Sequence, residues 1–182
     1  WHHSYNLGIR QLEEGAFAFR HADGRESFLP VLKLGESHFD RREQLAWTLD
    51  GWGYLLTDIR GLQYRFDGPE NRSGYRMVSG ISTKDGFRLR FEYASGGRLA
   101  GIISSRGEFL KVETDESGRV LCVSVNQDGE EVKLVRYRYD DRGDMVETLD
   151  ALDVSKHFVY SGGHLLVRLT NQGGMSFHWE YE

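Results

Sequence analysis

The sequence predicts an all-β fold of consecutive antiparallel hairpins in a curved, twisted sheet. Three features support this fold class. Apolar residues alternate with polar ones, Asp-Gly pairs recur between the alternating segments, and the second half of the chain repeats a motif of about twenty residues. The 22 glycines and two prolines agree with many tight turns, because glycine adopts positive φ without steric cost.

The alternation is clearest in two segments. In residues 87–93 the odd positions are apolar and the even positions charged, and residues 175–181 show the same period of two. Earlier in the chain, Phe17 with Phe19 and Tyr64 with Phe66 mark similar strands. A period of two is typical of a half-buried strand, since successive side chains point to opposite faces.

Asp-Gly pairs at 23–24, 50–51, 85–86 and 128–129 predict hairpin turns between these strands. One segment favours a different structure: Ser37 as an N-cap predicts a short helical turn from Phe39 to Leu45. No Pro/Ser-rich linker divides the chain. We therefore expect one continuous unit, with a β-rich lead-in over 1–80 and repeats over 81–182.

The repeats are four segments that align with one another. They read FEYASGGRLAGIISSRG (91–107), LKVETDESGRVLCVSVNQDG (110–129), YRYDDRGDMVETLDALD (137–153) and FVYSGGHLLVRLTNQGG (158–174). Each is a strand, a glycine turn, an apolar strand and a second turn. Such a two-strand unit cannot bury its apolar face alone, so neighbouring units share a core. The predicted repeat positions are Phe91, Tyr93, Gly97, Arg98, Asp115, Gly118, Arg119, Tyr137, Tyr139, Asp140, Gly143, Phe158, Tyr160 and Gly163.

The repeats resemble the tyrosine-aspartate (YD) repeats of the Rhs family, whose pattern is aromatic-x-Tyr-Asp, two residues, Gly-Arg and an aliphatic. YRYDDRGDM fits with Gly-Asp for Gly-Arg, VETDESGRV keeps Asp115, Gly118 and Arg119, and FEYASGGRL has Ala94 for the aspartate. FVYSGGHLL has Ser161 for the aspartate and His164 for the arginine. WHHSYN, FAFRHADGRESFLPVLKLGE and GYLLTDIRGLQYRFDG resemble the region that leads into the repeats.

The resemblance implies a function as well as a fold. In the family, YD repeats wind into a hollow cocoon that encloses a C-terminal toxin domain, often exported by type VI secretion or a related route. The chain would be the N-terminal part of such a shell. It would be made in the bacterial cytoplasm and then secreted or delivered into a target cell. It would not be an enzyme, because the family's self-cleaving core segment has no counterpart here.

The implied partners are the remainder of the shell and the enclosed toxin domain. A secretion spike, a chaperone or a second copy bound through edge strands are further expected partners. The chain lacks an initiating Met, and we expect it to be a piece of a longer protein. A net charge of −5 with well-mixed signs argues against nucleic acid as a partner, and no apolar run approaches the length of a membrane span.

Residues that suggest chemistry also have structural interpretations. Asp140, Asp141 and Asp144 offer oxygen ligands to a cation, but an aspartate at Asp140 is more typically a turn residue that accepts backbone N–H bonds. The seven histidines, beginning with His2 and His3, show no metal-ligand spacing. Cys122 lies in an apolar run predicted to be buried on both faces, where a thiol is inert. No metal, cofactor or catalytic residue is predicted.

The aromatic stripes leave two interpretations open. Aligned rings form ladders between stacked hairpins, which their recurrence at the repeat period favours. They also suit a carbohydrate- or receptor-binding β module, for which Trp52 and Trp179 are the candidate contacts. A hydrolase that uses paired carboxylates is the third and weakest alternative, since nothing fixes two carboxylates at a catalytic separation.

Overall fold

The computed structural model describes residues 3, 5–13 and 15–181, and it confirms the all-β fold class. Strands joined by turns account for the regular structure of these residues, together with one 3₁₀ turn at Ser95–Gly97. The strands are β1 (Gly8–Gln11), β2 (Ala16–Arg20), β3 (Glu26–Pro30), β4 (Ser37–Asp40), β5 (Leu45–Asp50), β6 (Gly53–Asp58), β7 (Gln63–Phe66), β8 (Arg76–Met77), β9 (Gly80–Ser82), β10 (Arg88–Ala94), β11 (Arg98–Ser104), β12 (Phe109–Thr114), β13 (Val120–Gln127), β14 (Glu130–Tyr139), β15 (Met145–Asp150), β16 (Ser155–Tyr160), β17 (Leu166–Thr170) and β18 (Ser176–His178).

The chain divides into two compact units, one ending at Phe109 and one beginning at Leu110. In the first unit, β3-β2-β1-β8 form one antiparallel sheet, and β11-β10-β9-β7-β6-β5-β4 follow one another in a second. In the second unit the order is β18-β17-β16-β15-β14-β13-β12, so each strand pairs with its neighbour in sequence. No described helix has the length and apolar composition needed to cross a membrane.

The core of the first unit lies between its two sheets. Trp47 of β5 is fully buried, stacks on Tyr54 with ring centroids 4.7 Å apart, and packs against Phe17 of β2. Its indole Nε1 donates a hydrogen bond to the Pro30 carbonyl at 3.0 Å. Phe19 of β2 meets Phe66 of β7 edge-on at 5.8 Å. Apolar residues from both sheets thus form this core.

The predicted helical turn over 37–45 is wrong. Residues Ser37–Asp40 form β4, which pairs with β5, so that Phe39 lies opposite Ala46. The chain reverses because the Asp40 carboxylate accepts hydrogen bonds from the backbone N–H groups of Arg42 and Glu43. Gln44 completes the reversal with φ of 55°.

Two of the Asp-Gly pairs show how the turns differ. Asp128 and Gly129 both have positive φ, 53° and 90°, which is the two-residue type I′ turn that the pair predicts. In the Asp50-Gly51 hairpin the positive φ instead falls on Gly53, at 117°. This hairpin therefore presents Trp52 in a turn of another type.

The second unit is one sheet in which β-bulges recur at equivalent positions of the repeats. The strand before the first turn of each repeat contains a β-bulge, at Glu92/Tyr93, Glu113/Thr114, Arg138/Tyr139 and Val159/Tyr160. The first of these lies in the unit that ends at Phe109. Of the apolar side chains described from Leu110 onward, Val112 and Cys122 are buried and the others are half-buried or exposed. The repeats therefore leave much of their apolar surface uncovered.

Candidate functional site

The first turn of a repeat is held by one side-chain oxygen. Asp115 Oδ1 accepts hydrogen bonds from the backbone N–H groups two and four residues later, those of Ser117 and Arg119, both at 2.9 Å. Asp140 Oδ1 does the same with Arg142 and Asp144, at 3.0 and 2.8 Å. These are the bonds that the turn interpretation of Asp140 requires.

Other residue types supply the same oxygen elsewhere. Ser161 Oγ accepts from the N–H groups of Gly163 and Leu165, both at 3.3 Å. Asn171 Oδ1 accepts from those of Gly173 and Met175, at 3.0 and 2.9 Å. The acceptor is conserved in position among these turns although the acid is not, since serine and asparagine offer equivalent oxygens.

The fourth residue of each turn takes the left-handed conformation. Gly118 and Gly143 have φ of 83° and 86°. In the last repeat the equivalent residue is His164, with φ of 61°, so Gly163 lies one position earlier than the predicted alignment placed it. Because two consecutive glycines precede the histidine, the glycine pattern alone places Gly163 at this position. In the first repeat Ala94 has no side-chain acceptor, and the 3₁₀ turn at Ser95–Gly97 takes the place of the capped turn.

Successive first turns contact one another. The Arg119 guanidinium lies so close to Gly143 that a Cβ there would be 3.0 Å from Nη1. Arg142 Nη2 donates to the carbonyls of Ser161 and Gly162, at 3.2 and 2.8 Å. We call this row of contacting turns (115–119, 140–144 and 161–165) the turn row.

Charge pairs reinforce the turn row. The buried Asp144 carboxylate accepts a hydrogen bond from His164 Nδ1 at 2.8 Å. Within its own turn, Asp115 is paired with Arg119 Nε at 2.6 Å. Burial acts to raise the pKa of Asp115, but hydrogen bonds from the Arg119 backbone and side chain outweigh it and lower that pKa overall. Asp144 is thus a structural partner of a histidine rather than part of an open cation site.

The repeat tyrosines bind the backbone. Tyr139 donates its hydroxyl to the Val120 carbonyl at 2.9 Å, and Tyr181 donates to that of Leu166 at 2.8 Å. Burial raises the pKa of Tyr139, so its hydroxyl stays protonated and able to donate. Ring–ring contacts among the described residues include those that join Phe17, Trp47 and Tyr54 in the first unit. At Tyr139 and Tyr181 the structure thus adds hydroxyl-to-carbonyl bonds that the aromatic pattern alone does not predict.

The sheet of the second unit has one apolar and one polar face. Residues directly opposite in register share a face, so Phe158, Leu169 and Phe177 lie in one row across β16, β17 and β18. We call this side the apolar face. On it, Phe177 is 43% exposed, and the adjacent Trp179 and Tyr181 are also exposed.

The polar face carries pairs of charged side chains across β14, β15 and β16. Arg138 lies opposite Glu147, and their charged atoms are 2.9 Å apart. Glu147 in turn lies opposite His157, whose Nδ1 is 3.7 Å from the carboxylate. Arg168 and His178 continue this face, so His178 points away from Phe177. Charged and polar side chains such as Arg138 and His157 are thus exposed to solvent on this face.

The remaining chemistry candidates have structural explanations. The described residues contain no group of three His, Cys, Asp or Glu side chains placed to hold a metal ion, and His2 lies outside them. Cys122 is buried, but its neighbour Val123 is half-buried, so the prediction of burial on both faces is wrong. Burial raises the pKa of the Cys122 thiol, which keeps it in the less nucleophilic neutral form.

Comparison with known proteins adds one sequence relative. No family model matches the chain. The chain is 31% identical over 156 residues, or 82% of its length, to double-stranded DNA deaminase toxin A from Burkholderia cenocepacia (strain H111). This chain has a toxin relative. It spans 11% of the length of that protein.

Two solved structures that match the chain are of toxin complexes. TcdB2-TccC3-TEV matches with a TM-score of 0.46 and 11% identity, over 92% of this chain and 9% of that one. The Tc holotoxin pore of Photorhabdus luminescens, with the TccC3-D651A mutation, matches with a TM-score of 0.46 and 12% identity, over the same shares.

Proposed function

We propose that this chain is a structural, non-catalytic part of an Rhs-type shell that encloses the toxin domain of a longer bacterial protein. The observation that carries the proposal is the two-faced sheet of the second unit. Its polar face is completed by ion pairs within the sheet, whereas its apolar face is left without a cover by the described residues that form it.

An uncovered apolar face is unfavourable in water. Each Å² of apolar surface removed from water contributes about 25 cal/mol, so rows of residues such as Phe158, Leu169 and Phe177 favour a covering layer. In a closed shell that layer is further wall or the enclosed domain. The polar face then forms the outside, where the Arg138–Glu147 pair remains hydrated.

The toxin relative supports the same proposal. A protein about nine times as long as the matched stretch, inferred from the 11% coverage, has room for further shell and for a separate toxic domain. In this chain the aspartates of the repeats are occupied in turns, as Asp115 and Asp140 show. The toxic activity would therefore belong to another part of the parent protein.

The proposed route is that of other Rhs-type toxins: synthesis in the bacterial cytoplasm, followed by type VI or related secretion and use in competition between bacteria. The proposed partners are the rest of the shell, the enclosed domain and a secretion spike or chaperone. The edge strand β18, which pairs only with β17 among the described strands, offers one place where such a chain continues the sheet.

The test uses the complete parent protein and two neighbouring substitutions. Phe158→Glu places a charge on the apolar face, and Val159→Glu places the same charge on the opposite face of the same strand. We expect limited proteolysis of the toxin domain to be about tenfold faster in Phe158→Glu, since a buried unpaired charge opens the wall. Val159→Glu should match the unsubstituted protein.

Two results would count against the shell. One is a toxin domain that is digested as fast in the unsubstituted parent as after its release from the rest of the chain. The other is equal acceleration by both substitutions, because that pattern reports general instability rather than loss of a face-specific cover.

A further inference from the structure

The first unit contains a polar pocket that the proposed shell function leaves unexplained. It encloses about 280 Å³ beside the hairpin of β5 and β6. The side chains that give it chemical character are Gln11, Trp52, Tyr54, Asp67, Glu70 and Arg76. Its size approaches the lower end of small-molecule sites, and its lining combines aromatic rings with a few polar groups, as such sites do.

Trp52 is exposed on a fixed backbone. It is 81% exposed, the highest exposure among the tryptophans described as exposed in this chain. Its backbone N–H donates to Asp50 Oδ1 at 2.8 Å, and Asp50 is in turn paired with Arg65 at 2.6 Å. The hairpin is thus held in place while the indole stays free. A ligand that stacks on the indole does not have to order the loop, so little conformational entropy opposes binding.

Tyr54 and Gly53 shape the pocket beside the indole. Tyr54 is held by stacking on the buried Trp47, with planes 6° apart. Burial raises the pKa of Tyr54, so its hydroxyl remains a neutral hydrogen-bonding group. Gly53, at φ of 117°, brings backbone without a side chain to the pocket. The rigid aromatic and the bare backbone make a surface of defined shape.

The other polar groups are planar donors and acceptors. Glu70 Oε1 lies 3.5 Å from Arg76 Nη2, and the Asp67 carboxylate accepts a hydrogen bond from the Ser79 hydroxyl. The Gln11 amide adds both a donor and an acceptor. Two carboxylates and one guanidinium give the lining a local charge of about −1. That charge disfavours anionic ligands.

We propose that this pocket binds an uncharged saccharide unit. One face of a sugar ring presents C–H groups, which suit the exposed indole of Trp52, and its edge presents hydroxyls, which both donate and accept hydrogen bonds. Asp67, Glu70 and Arg76 lie where those hydroxyls would be recognised. The proposal is independent of the shell, because it places ligand binding in the first unit rather than on the apolar face of the second.

The experiment is a titration followed by NMR and calorimetry. The probes are glucose, galactose, mannose, N-acetylglucosamine and their short oligomers, with sialyllactose as an anionic comparison, each carried into the millimolar range. We expect saturable binding of at least one neutral probe. Trp52→Ala should weaken it by about tenfold or more, as loss of an aromatic anchor does. Glu70→Gln should also weaken binding. Because the Glu70 side chain is exposed, this substitution should leave the stability of the fold unchanged.

Trp179→Ala is the matched control, because Trp179 is also exposed but lies outside the pocket. It should leave the affinity unchanged. The proposal is overturned if no neutral probe saturates, if sialyllactose binds more tightly than the neutral probes, or if Trp179→Ala weakens binding as much as Trp52→Ala. Protease protection in the parent protein reports separately on the shell, so failure of one proposal is distinguishable from failure of the other.

Discussion

At the scale of single residues, the turn carboxylates are the groups whose chemistry the fold changes. The backbone N–H groups of Val154 and Leu152 donate to Asp150 Oδ1 at 3.0 and 2.9 Å. These bonds lower the pKa of Asp150 from its ordinary value of 3.8. Gln172 adds a further hydrogen bond, from Nε2 to Oδ2 at 2.6 Å. The charged form is therefore favoured in the folded chain.

A pH dependence follows from this lowered pKa. The stability that ionised Asp150 contributes is complete above its unfolded pKa of 3.8, and it is lost as the pH falls through the lower folded value. Asp150→Asn keeps an oxygen acceptor for the turn but cannot titrate. We expect thermal unfolding of this variant to depend less steeply on pH below about pH 4 than that of the unsubstituted chain. Identical slopes in the two proteins would contradict this assignment.

At the scale of an element, two glycines at positive φ differ in how closely their surroundings pack, so their substitution distinguishes the cost of backbone strain from that of close packing. Gly97 has φ of 70°, and a Cβ there would lie 2.7 Å from Asn71 Cα. Gly107 has φ of 91° with open space around it. Asn71 itself holds the neighbouring turn, since its Oδ1 accepts from the N–H groups of Ser73 and Tyr75. Gly97 thus matters to two turns and Gly107 to one.

We expect Gly107→Ala to lower the free energy of unfolding by about 1 kcal/mol, the cost of placing alanine at positive φ. Gly97→Ala should cost roughly 1–3 kcal/mol more, because the new methyl displaces Asn71. Denaturant unfolding of both variants measures the difference. Equal losses would show that the turn at Ser95–Gly97 does not pack closely against Asn71.

The elements also show how far the sequence predicts the structure. Alternation located strands such as β10 and β18, because a period of two is a local property of the pattern. The apolar spacing of residues 37–45 does not predict the strand β4 and its turn, because the Asp40 hydrogen bonds that reverse the chain leave no trace in that spacing. The shift from Gly163 to His164 has a similar origin: a histidine at positive φ is held there by its contact with Asp144, twenty residues earlier.

The pocket at Trp52 was less predictable than the repeats. The aromatic pattern offers Trp52 as a candidate contact, but no motif connects Asp67, Glu70 and Arg76 with it. They meet because β7, β8 and the loop between them approach the β5–β6 hairpin in space. Non-local pairing of this kind leaves no periodic signal in the sequence.

At the scale of the whole molecule, the uncovered apolar face predicts self-association. Phe177 and His178 are adjacent in the edge strand β18 but lie on opposite faces. We expect the purified chain to form dimers or larger species at high concentration, and Phe177→Glu to reduce them strongly. His178→Glu should reduce them little if the apolar face drives association. Light scattering over a range of concentrations measures both, and a monomer at every concentration would contradict the prediction.

Equal reduction by the two substitutions would locate the contact at the open backbone edge of β18 instead. Both place a carboxylate on that edge, so only their difference reports on the face.

The turn row has a mechanical consequence. In the second unit each described strand pairs with its neighbours in sequence, and contacts between the turns join adjacent hairpins, as Arg142 with Gly162 shows. A pulling force applied to the end of β18 therefore acts first on the last hairpin, and it acts on the next hairpin only after the last one has opened. The sheet would come apart in successive steps of about twenty residues, each releasing on the order of 70 Å of extended chain. A sheet built in this way unravels from its end and does not need to break everywhere at once.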